Sequence, residues 1–590
     1  MAKRTSYGEI KQYANRRAQG LILQRYSYDP IMRDLTNNIT PEIGRSLWTD
    51  LSSQTQIQGI RHDAFILNSL PTTCAMTLAA GMQAGITSPA SPWFRITVPN
   101  DWLYENAAVR NWLDFVQDAM RRVFAGSNLY RVFHESYLHA GVFGTSCAIL
   151  RGDDERVVHG TMLDQGAFWI AENERGQVDT CYRRFAMTAR QLEEEFGKEN
   201  LPKNIQDMLG NVKEGNRGDD VFFNVECLIE PNSNALDIPE ANGKPWRSIY
   251  WIGKGAGYDE KEGVISIRHY SGNPIFCLRW ATSPGLGWYG YGPGRMCLGD
   301  CIQLQEMESD KLKAIRKVVD PPMLAPDTMK GTMIRSAPGS ITFYSQAGVT
   351  ASGTAVKPLL DIKPDLQAMM EAINITSGRI KEMFFYDLFK MFSDMDYKQP
   401  PTAQEIIEKK QEKLINLGPV VESCTNELDG VINRVFQLMW EQGLVPPPPP
   451  ELMQRYKAGS GKIPGSFNLK IEIVSPLATA QRLIGLQGMQ QFTGYVQQLA
   501  QTKPEVLDKI DADAMVDVAA ESLGTPAKII VDDAIVAKRR GARLKAQQQQ
   551  QQAQQMQATT QSAKNLGQAK TGSDSTALGD LRDQYMGMNP

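Results

Sequence analysis

The residues of this 590-residue chain best suited to chemistry are its eight cysteines and five histidines, and spacing decides what they can do. The cysteines stand at Cys74, Cys147, Cys181, Cys227, Cys277, Cys297, Cys301 and Cys424, with no C-x-x-C pair among them. Cys297 and Cys301 are four apart on a predicted helix, a spacing that could start a tetrahedral metal site, but no nearby histidine completes it. His134 and His139 are five apart, the wrong phase for two ligands on one helical face, and His134-Glu135 does not extend to H-E-x-x-H. His62, His159 and His269 are isolated. A G-x-S-x-G elbow is absent; its nearest approach, Gly144-Thr145-Ser146-Cys147, reads as small residues at a close packing point. The sequence therefore predicts no catalytic residue, no metal and no cofactor, and thiols that stay reduced.

Phosphate chemistry is the second possibility. Ser283–Gly294 (SPGLGWYGYGPG) is rich in glycine, but Arg295-Met296 follows where a P-loop needs Lys-Ser or Lys-Thr. It reads as a tight aromatic loop at the foot of the next helix. A net charge of −3 argues against a surface that grips DNA along its length, so any such contact must be local or weak. The cations placed to make it are Lys311, Lys313, Arg316, Lys317, Arg379 and Lys381, on two predicted helices. In a monomer they would be an ordinary solvated face. In a ring each would repeat around an axis and become a belt of positive charge.

The elements that would position these residues follow from periodicity, and they predict an α+β chain of several domains. Leu78–Ile96 (LAAGMQAGITSPASPWFRI) begins as a small-residue helix that admits a close neighbour, breaks at its prolines, and leaves Trp93 and Phe94 as an apolar anchor beside Arg95. Before it, a basic helix spans Ser6–Tyr26, ended by Asp29-Pro30. After it, Val109, Trp112, Leu113, Val116, Met120 and Val123 mark one face of a helix, and Leu129–Leu150 reads as another, broken near Gly141 and Gly144. From about 160 to 280 short β-favouring runs alternate with turns, interrupted by a helix over Thr188–Phe196 with a threonine N-cap and Gly197 as its stop.

Two helices, Met296–Val319 and one opened by Pro364, then flank an insertion, forming a hairpin with a small domain at its tip. The second of them carries Leu366, Met369, Met370, Ile373, Ile380, Met383, Phe384 and Leu388 at helical spacing. After a poorly patterned segment to Pro401, a helix runs from Thr402 to about Glu441 with the stripe Ile407, Leu414, Leu417, Val421, Leu428, Val431, Val435 and Met439. It would be roughly 60 Å long at 1.5 Å per residue. Gly418-Pro419 should kink it. Pro446–Pro450 is a stiff spacer, a strand pair is predicted near Phe467–Val474, helices follow to Ala546, and Gln547–Gln557 with the tail beyond is predicted to be disordered. No secretory h-region or membrane-length apolar run occurs, so synthesis in the cytoplasm is expected.

Leu78–Ile96 resembles the opening signature of the head-to-tail connector family, the portal proteins of short-tailed, podovirus-type bacteriophages. Further segments resemble the same family in the same order: Arg25–Pro41, Ser127–Leu150, Ala167–Phe196, Arg279-Trp280, Tyr291-Gly292-Pro293-Gly294, Asp320-Pro321-Pro322, Thr402-Ala403-Gln404-Glu405, Leu417-Gly418-Pro419 and Ser475-Pro476-Leu477-Ala478. The likeness spans roughly residues 20 to 480. It departs where members often show Tyr-Gly-Arg-Gly-Pro and this chain has Tyr289-Gly290-Tyr291-Gly292-Pro293.

The resemblance implies a non-enzymatic virion protein, a dodecameric ring at one capsid vertex. Double-stranded DNA would be packaged and ejected through it, powered by a separate terminase. It implies a wing (1–295), a stem of two helices (296–319 and 364–389) and a clip (320–363). It also implies a tunnel loop (390–401) with Phe392, Asp394, Tyr397 and Lys398, the long helix and wing return (402–475), a crown (476–546) and a tail (547–590). Partners implied are terminase, the major capsid or scaffolding protein and tail adaptors, with no membrane. The alternative is another virion structural protein, such as a tail adaptor or internal scaffold.

Overall fold

The structure of the protein, a computed structural model, describes residues 7–47, 66–90, 92–97, 106–210, 221–233, 243–253, 264–319, 323–324, 357–358, 365–390, 403–450, 470–473, 492–499, 515, 533–568 and 584–585. The chain divides into two units, Met1–Ile484 and Gly485–Pro590.

The first unit opens with helix α1 (Tyr7–Arg25) and a single 3-10 turn, Tyr26–Tyr28. Asp29-Pro30, expected to end this helix, instead starts α2 (Asp29–Asn38): α1 has already stopped at Arg25, Asp29 keeps a helical φ of −57° and ψ of −40°, and proline fits the first turn, where its missing N–H has no helical partner anyway. Arg25 at the junction is buried, pairs with Asp29 at 3.1 Å and lies over the Trp169 ring. Helix α3 (Leu70–Ile86) buries Cys74, Ala75, Leu78, Ala79, Met82 and Ile86. Strand β1 (Phe94–Thr97) follows, then α4 (Ala107–Gly126) with Val109, Trp112, Leu113, Val116 and Met120 facing inward and Val123 packed at the edge. Trp93 is the expected anchor: its ring meets Phe94, Phe124 and Phe133 at 4.7, 5.4 and 6.0 Å.

Helix α5 (Leu129–Phe143) stops at Gly144, which takes φ +85°, and the chain turns into strand β2 (Thr145–Asp153). The helix expected to continue through Leu150 is therefore a strand from Thr145 onward. Gly144 in the left-handed region ends α5, and the buried run through Leu150 pairs on both sides, with β3 (Val157–Met162) and β9 (Ile275–Arg279). Strands β4 (Phe168–Glu172) and β5 (Val178–Thr188) lead into α6 (Ala189–Phe196), where Thr188 and Gln191 form a reciprocal capping box and Gly197 terminates. After α7 (Lys203–Gly210) come β6 (Phe222–Pro231), β7 (Trp246–Ile252), β8 (Ser266–Tyr270) and β9 (Ile275–Arg279).

Strands β4 to β8 form an antiparallel five-stranded sheet in sequence order, and β3-β2-β9 a second sheet. Alternation along β4 sorts the faces: Phe168 and Ile170 join the main core, while Trp169 and Ala171 face the other way. On that second face α1 lays Ala14, Ala18 and Leu21 against Tyr182, Leu228, Ile249 and Trp251.

Next come α8 (Pro293–Met296), α9 (Leu298–Val319), the short strands β10 (Met323–Leu324) and β11 (Lys357–Pro358), α10 (Leu366–Met383) and α11 (Tyr386–Lys390). Helix α12 (Ala403–Glu441) is 39 residues long and contains Pro419. Its stripe is buried at Leu417, Val421, Leu428, Val431, Val435 and Met439, while Ile407 and Leu414 lie outside the described side chains. Strand β12 (Lys470–Ile473) corrects the strand pair expected near 467–474: its partner is β1, with Phe94 opposite Ile473. Local alternation gave the strand but could not supply a partner some 375 residues away.

The second unit holds a helical stretch at 492–499 and α13 (Asp533–Gln568). Gln547–Gln557, expected to lack structure, lies inside α13. Alanine and glutamine propagate a helix well even without a face to bury. Among the described residues no helix is long and apolar enough to cross a membrane.

Candidate functional site

The hairpin of α9 and α10 is seated on a floor made by the glycine-rich loop. Its last two glycines, Gly292 and Gly294, lie against α5 backbone, and Gly290 against Gly144 at the end of α5, whereas Gly285 and Gly287 face open space. A Cβ on Gly292 would stand 2.5 Å from the Ala140 carbonyl oxygen, one on Gly294 2.5 Å from that of Val142, and one on Gly144 2.5 Å from that of Gly290. These approaches allow no side chain, so at these glycines the loop is a packing device, as its sequence suggested, and the Gly290 N–H is itself used, donating to Thr145 Oγ1 at 2.8 Å. Tyr289 from the same loop is buried, and its hydroxyl oxygen accepts the Ile170 N–H of β4 at 3.2 Å.

Arg279, at the end of β9, joins this floor to its surroundings. Its guanidinium donates to Glu172 Oε2 at 2.7 Å, to the Gly176 carbonyl at 2.5 Å and to the Trp288 carbonyl at 3.3 Å. Its own carbonyl accepts from Ser423 of α12 at 3.0 Å. One residue thus fastens the β4–β5 hairpin, the glycine loop and the long helix.

Helix α9 rises from the floor with Cys301, Leu304 and Gln305 buried on one face. Gln305 clamps the segment that enters α3: its Oε1 accepts the N–H of Leu67 at 2.8 Å and of Asn68 at 2.9 Å, and its Nε2 donates to the Asn68 carbonyl at 2.9 Å. Asn68 in turn donates to Glu308 at 3.0 Å. Helix α10 packs along α9, with Arg379 paired to Asp300 at 3.0 Å. Its end departs from the single helix expected through 389. Phe385 adopts φ +54°, and a new short helix follows. The break lets Phe384, Leu388 and Phe389 all turn into the core.

Away from the seat the hairpin is exposed. Leu312, Ile315, Val318 and Val319 of α9 and Leu366, Met370, Ile375 and Met383 of α10 are open to solvent in this single chain. Only half of the apolar spacing of α10 is thus used on its own core. Beyond the helices β10 and β11 pair antiparallel, Met323 opposite Pro358 and Leu324 opposite Lys357, so the insertion closes at its neck. The rest of the expected insertion, residues 320–322, 325–356 and 359–363, lies outside the described residues.

The six candidate cations lie on this hairpin but are not equivalent. Lys311 pairs with Glu308, and Lys313 with Asp310 at 3.0 Å, both within α9. Arg379 is held by Asp300 and Thr376. Lys381 lies over the Tyr386 ring at 5.9 Å. Among the described residues no carboxylate pairs with Arg316 or Lys317, and both are exposed in the last turn of α9. Of the tunnel-loop candidates, Phe392, Asp394, Tyr397 and Lys398 lie outside the described residues. Gly418 and Pro419 fall within α12.

The cysteines and His139 are packed away, while His134 and His269 are half-buried and His159 is exposed. All eight cysteines are buried. Cys297 and Cys301 are 3.8 Å apart between sulfurs, and hydrogen bonding to Cys297, followed by burial, pushes the Cys301 thiol up. Burial pushes Cys74 and Cys424 up to about 12, which leaves them protonated and inert. His139, lowered to about 4 by burial, is neutral and sits 3.2 Å from Gln165. Among the described residues no group of three or more His, Cys, Asp or Glu side chains could hold a metal ion.

Residues 11–531, which include floor, hairpin and long helix, match the family described as bacteriophage head to tail connecting protein. The chain belongs to this family. It is 32% identical over 557 residues to the portal protein of Salmonella phage epsilon15, an alignment covering 94% of this chain and 95% of that protein. It is 34% identical over 567 residues to the probable portal protein of Bordetella phage BPP-1, covering 96% of each.

Within this connecting-protein chain, Gln305 is an organising side chain that motif reading passed over, and Arg279 one that it picked out only as part of Arg279-Trp280, with no role. A signal existed for Gln305, a polar residue in phase with Cys301 and Leu304 on the buried face of a helix. Arg279 offered less, since an arginine ending a strand is usually solvated.

Proposed function

We propose that the chain is the portal subunit of a short-tailed bacteriophage. Copies close into a dodecameric ring at one capsid vertex, and double-stranded DNA enters and leaves through the bore. The observation that carries this reading is the hairpin α9–α10. It combines a rigid seat, an uncovered apolar flank and, at one end, cations with no carboxylate partner among the described residues. Apolar side chains from Leu312 to Val319 and from Leu366 to Met383 suit lateral packing between neighbouring copies, and a heterologous contact that closes leaves none of them unpaired.

In this arrangement the hairpin is the stem, residues 320–363 are the clip, and 390–401 the tunnel loop. The clip hangs beyond the β10–β11 neck, so it can receive terminase and then the tail adaptors without disturbing the core. Arg316 and Lys317 at the foot of the clip would form the belt facing DNA. Their neighbours Lys311 and Lys313 are already balanced by Glu308 and Asp310, which suits a conduit, because a tight grip on phosphates would stall sliding. The protein provides geometry only; the work of packaging comes from a separate terminase ATPase. Major capsid or scaffolding protein would hold the wing.

Native mass spectrometry with negative-stain electron microscopy of the purified protein tests this. Closed rings with a central channel, formed without nucleotide or metal, are expected. Folded monomers alone at micromolar concentration would overturn the reading.

A further inference from the structure

The overall charge of the chain hides one strongly basic element. Residues 534–573 contain seven lysines and arginines and no carboxylate, so the rest of the chain, with −3 overall, carries −10. Five of the cations, Lys538, Arg539, Arg540, Arg543 and Lys545, fall within eight residues of α13, and all five are exposed. Helical geometry divides them into rows. Lys538 and Lys545 share one line at i,i+7, and Arg539 and Arg543 share another at i,i+4. Positive charge therefore flanks the helix on two sides over a length of about 10 Å.

We propose that residues 538–545 of α13 bind double-stranded DNA without regard to sequence, seated along the major groove with Lys538, Arg539, Arg543 and Lys545 on the phosphates of its two walls. A helix about 10–12 Å across matches a groove about 12 Å wide, and phosphate contacts alone carry no sequence information. The A-form groove of duplex RNA is too narrow to admit the helix. A lipid surface would need an apolar face, but the large apolar residues of α13, Ile535, Val536, Leu544, Met556 and Leu566, are spaced so that they scatter around the helix and share none. A second copy of the same stretch would bring like charges together. The exposed glutamines that follow are uncharged, so they extend the helix without adding to the grip. This deepens the portal reading, on which it rests, by naming where DNA is held outside the stem.

The test uses the full chain and a labelled 25-base-pair duplex of arbitrary sequence, followed by fluorescence anisotropy from 50 to 300 mM KCl. Replacing Lys538, Arg539, Arg543 and Lys545 together by glutamine should weaken binding at least tenfold at 100 mM. It should also flatten the slope of log K against log salt by about 3 to 4, at about 0.9 for each phosphate that is no longer neutralised. Exchanging the same four positions between lysine and arginine should preserve both values, which separates charge from folding. Unchanged affinity and slope in the glutamine variant would overturn the proposal. So would tighter binding to duplex RNA of the same sequence, or to phosphatidylglycerol vesicles. Negative-stain images of the same samples keep the readings apart: intact rings with unaltered DNA binding would refute this site while leaving the portal reading standing.

Discussion

Phe389 fills a notch that Gly81 leaves in helix α3: a Cβ on Gly81 would overlap the Phe389 ring itself. The contact fixes where the chain leaves the α9–α10 hairpin, because Phe389 lies in the short helix that follows Phe385, one residue from the last described position before α12.

Gly81→Ala sets two effects against each other. Alanine is worth about 1 kcal/mol over glycine inside a helix, whereas forcing a methyl into a filled site costs about 1–3 kcal/mol. The ring cannot bend away, so net destabilisation of about 1–2 kcal/mol is expected. In a Phe389→Ala background the overlap is gone and the same substitution should stabilise. Thermal unfolding of the four variants checks the reversal of sign; additivity across the cycle would show that the two residues do not meet.

At Gly292 no such relief exists. Its missing Cβ faces the carbonyl oxygens of Ala140 and Gly141 at 2.5 and 2.6 Å, backbone that cannot rotate aside. Gly292→Ala should cost more than about 3 kcal/mol or prevent folding. By contrast Gly285, which has open space around it, should accept alanine with little change in melting temperature. A Gly292→Ala protein as stable as the parent would remove the floor described beneath the hairpin.

Sequence carried much of this, and its failures have physical causes. The caps at Thr188 and Gly197, the stripe of α12 and the small-residue face of α3 were legible because each is a local rule of spacing. The notches at Gly81 and Gly292 were visible only as glycine. What fills them, Phe389 or the α5 backbone, comes from hundreds of residues away or from another element's main chain. Pairing of β1 with β12 is of the same kind. The glutamine tract misled in the opposite direction, since composition reports the lack of a buried face but not the helix that such residues still favour. Of the six hairpin cations, sequence could not tell the four with partners from Arg316 and Lys317.

Gln305 and Arg379 provide a contrast in what holds the hairpin. Gln305 satisfies two N–H groups and a carbonyl on the segment before α3, while being buried itself. Gln305→Ala leaves those groups without partners and should cost about 2–3 kcal/mol. The Arg379–Asp300 bridge is half-exposed at the arginine, so Arg379→Ala should cost under about 1 kcal/mol and become indistinguishable from the parent in high salt. Equal losses for both would mean that the ion pair, not the amide clamp, fastens α9.

Two carboxylates on α12 make stability depend on pH. Burial raises Glu427 to about 7, partly countered by Arg279, and raises Asp429 to about 6. Both are raised, so the folded state holds more protons than the unfolded chain, whose carboxyls titrate near 4. Stability from these groups is greatest at the acid end, is lost as pH rises from about 4 to 7, and is flat above that. Glu427→Gln should remove most of the slope and raise the melting temperature at pH 8 relative to the parent, with little difference at pH 5. Calorimetry at the two pH values decides it. An equal effect of the substitution at both would mean that Glu427 ionises normally.

The segment between α11 and α12 gives the sharpest test of the portal reading. One end is pinned by Phe389 in the Gly81 notch, and α12 is anchored in the core from Leu417 onward. The residues between them, from Phe392 to Lys398, include no comparable apolar pattern but do include two aromatics, Asp394 and Lys398. On the portal reading these residues, repeated around a bore, would touch DNA lightly at many points and hold it by number instead of by affinity. Replacing Phe392–Lys398 by a Gly/Ser linker leaves both anchors in place, so rings and procapsids should form as before. Particles should package DNA but fail to keep it, measured as the ratio of full to empty heads and the length of encapsidated DNA. Full-length genomes retained at parental levels would reduce the segment to a connector between two helices, and the DNA-facing role would then rest on Arg316 and Lys317 of the hairpin and on the α13 cations.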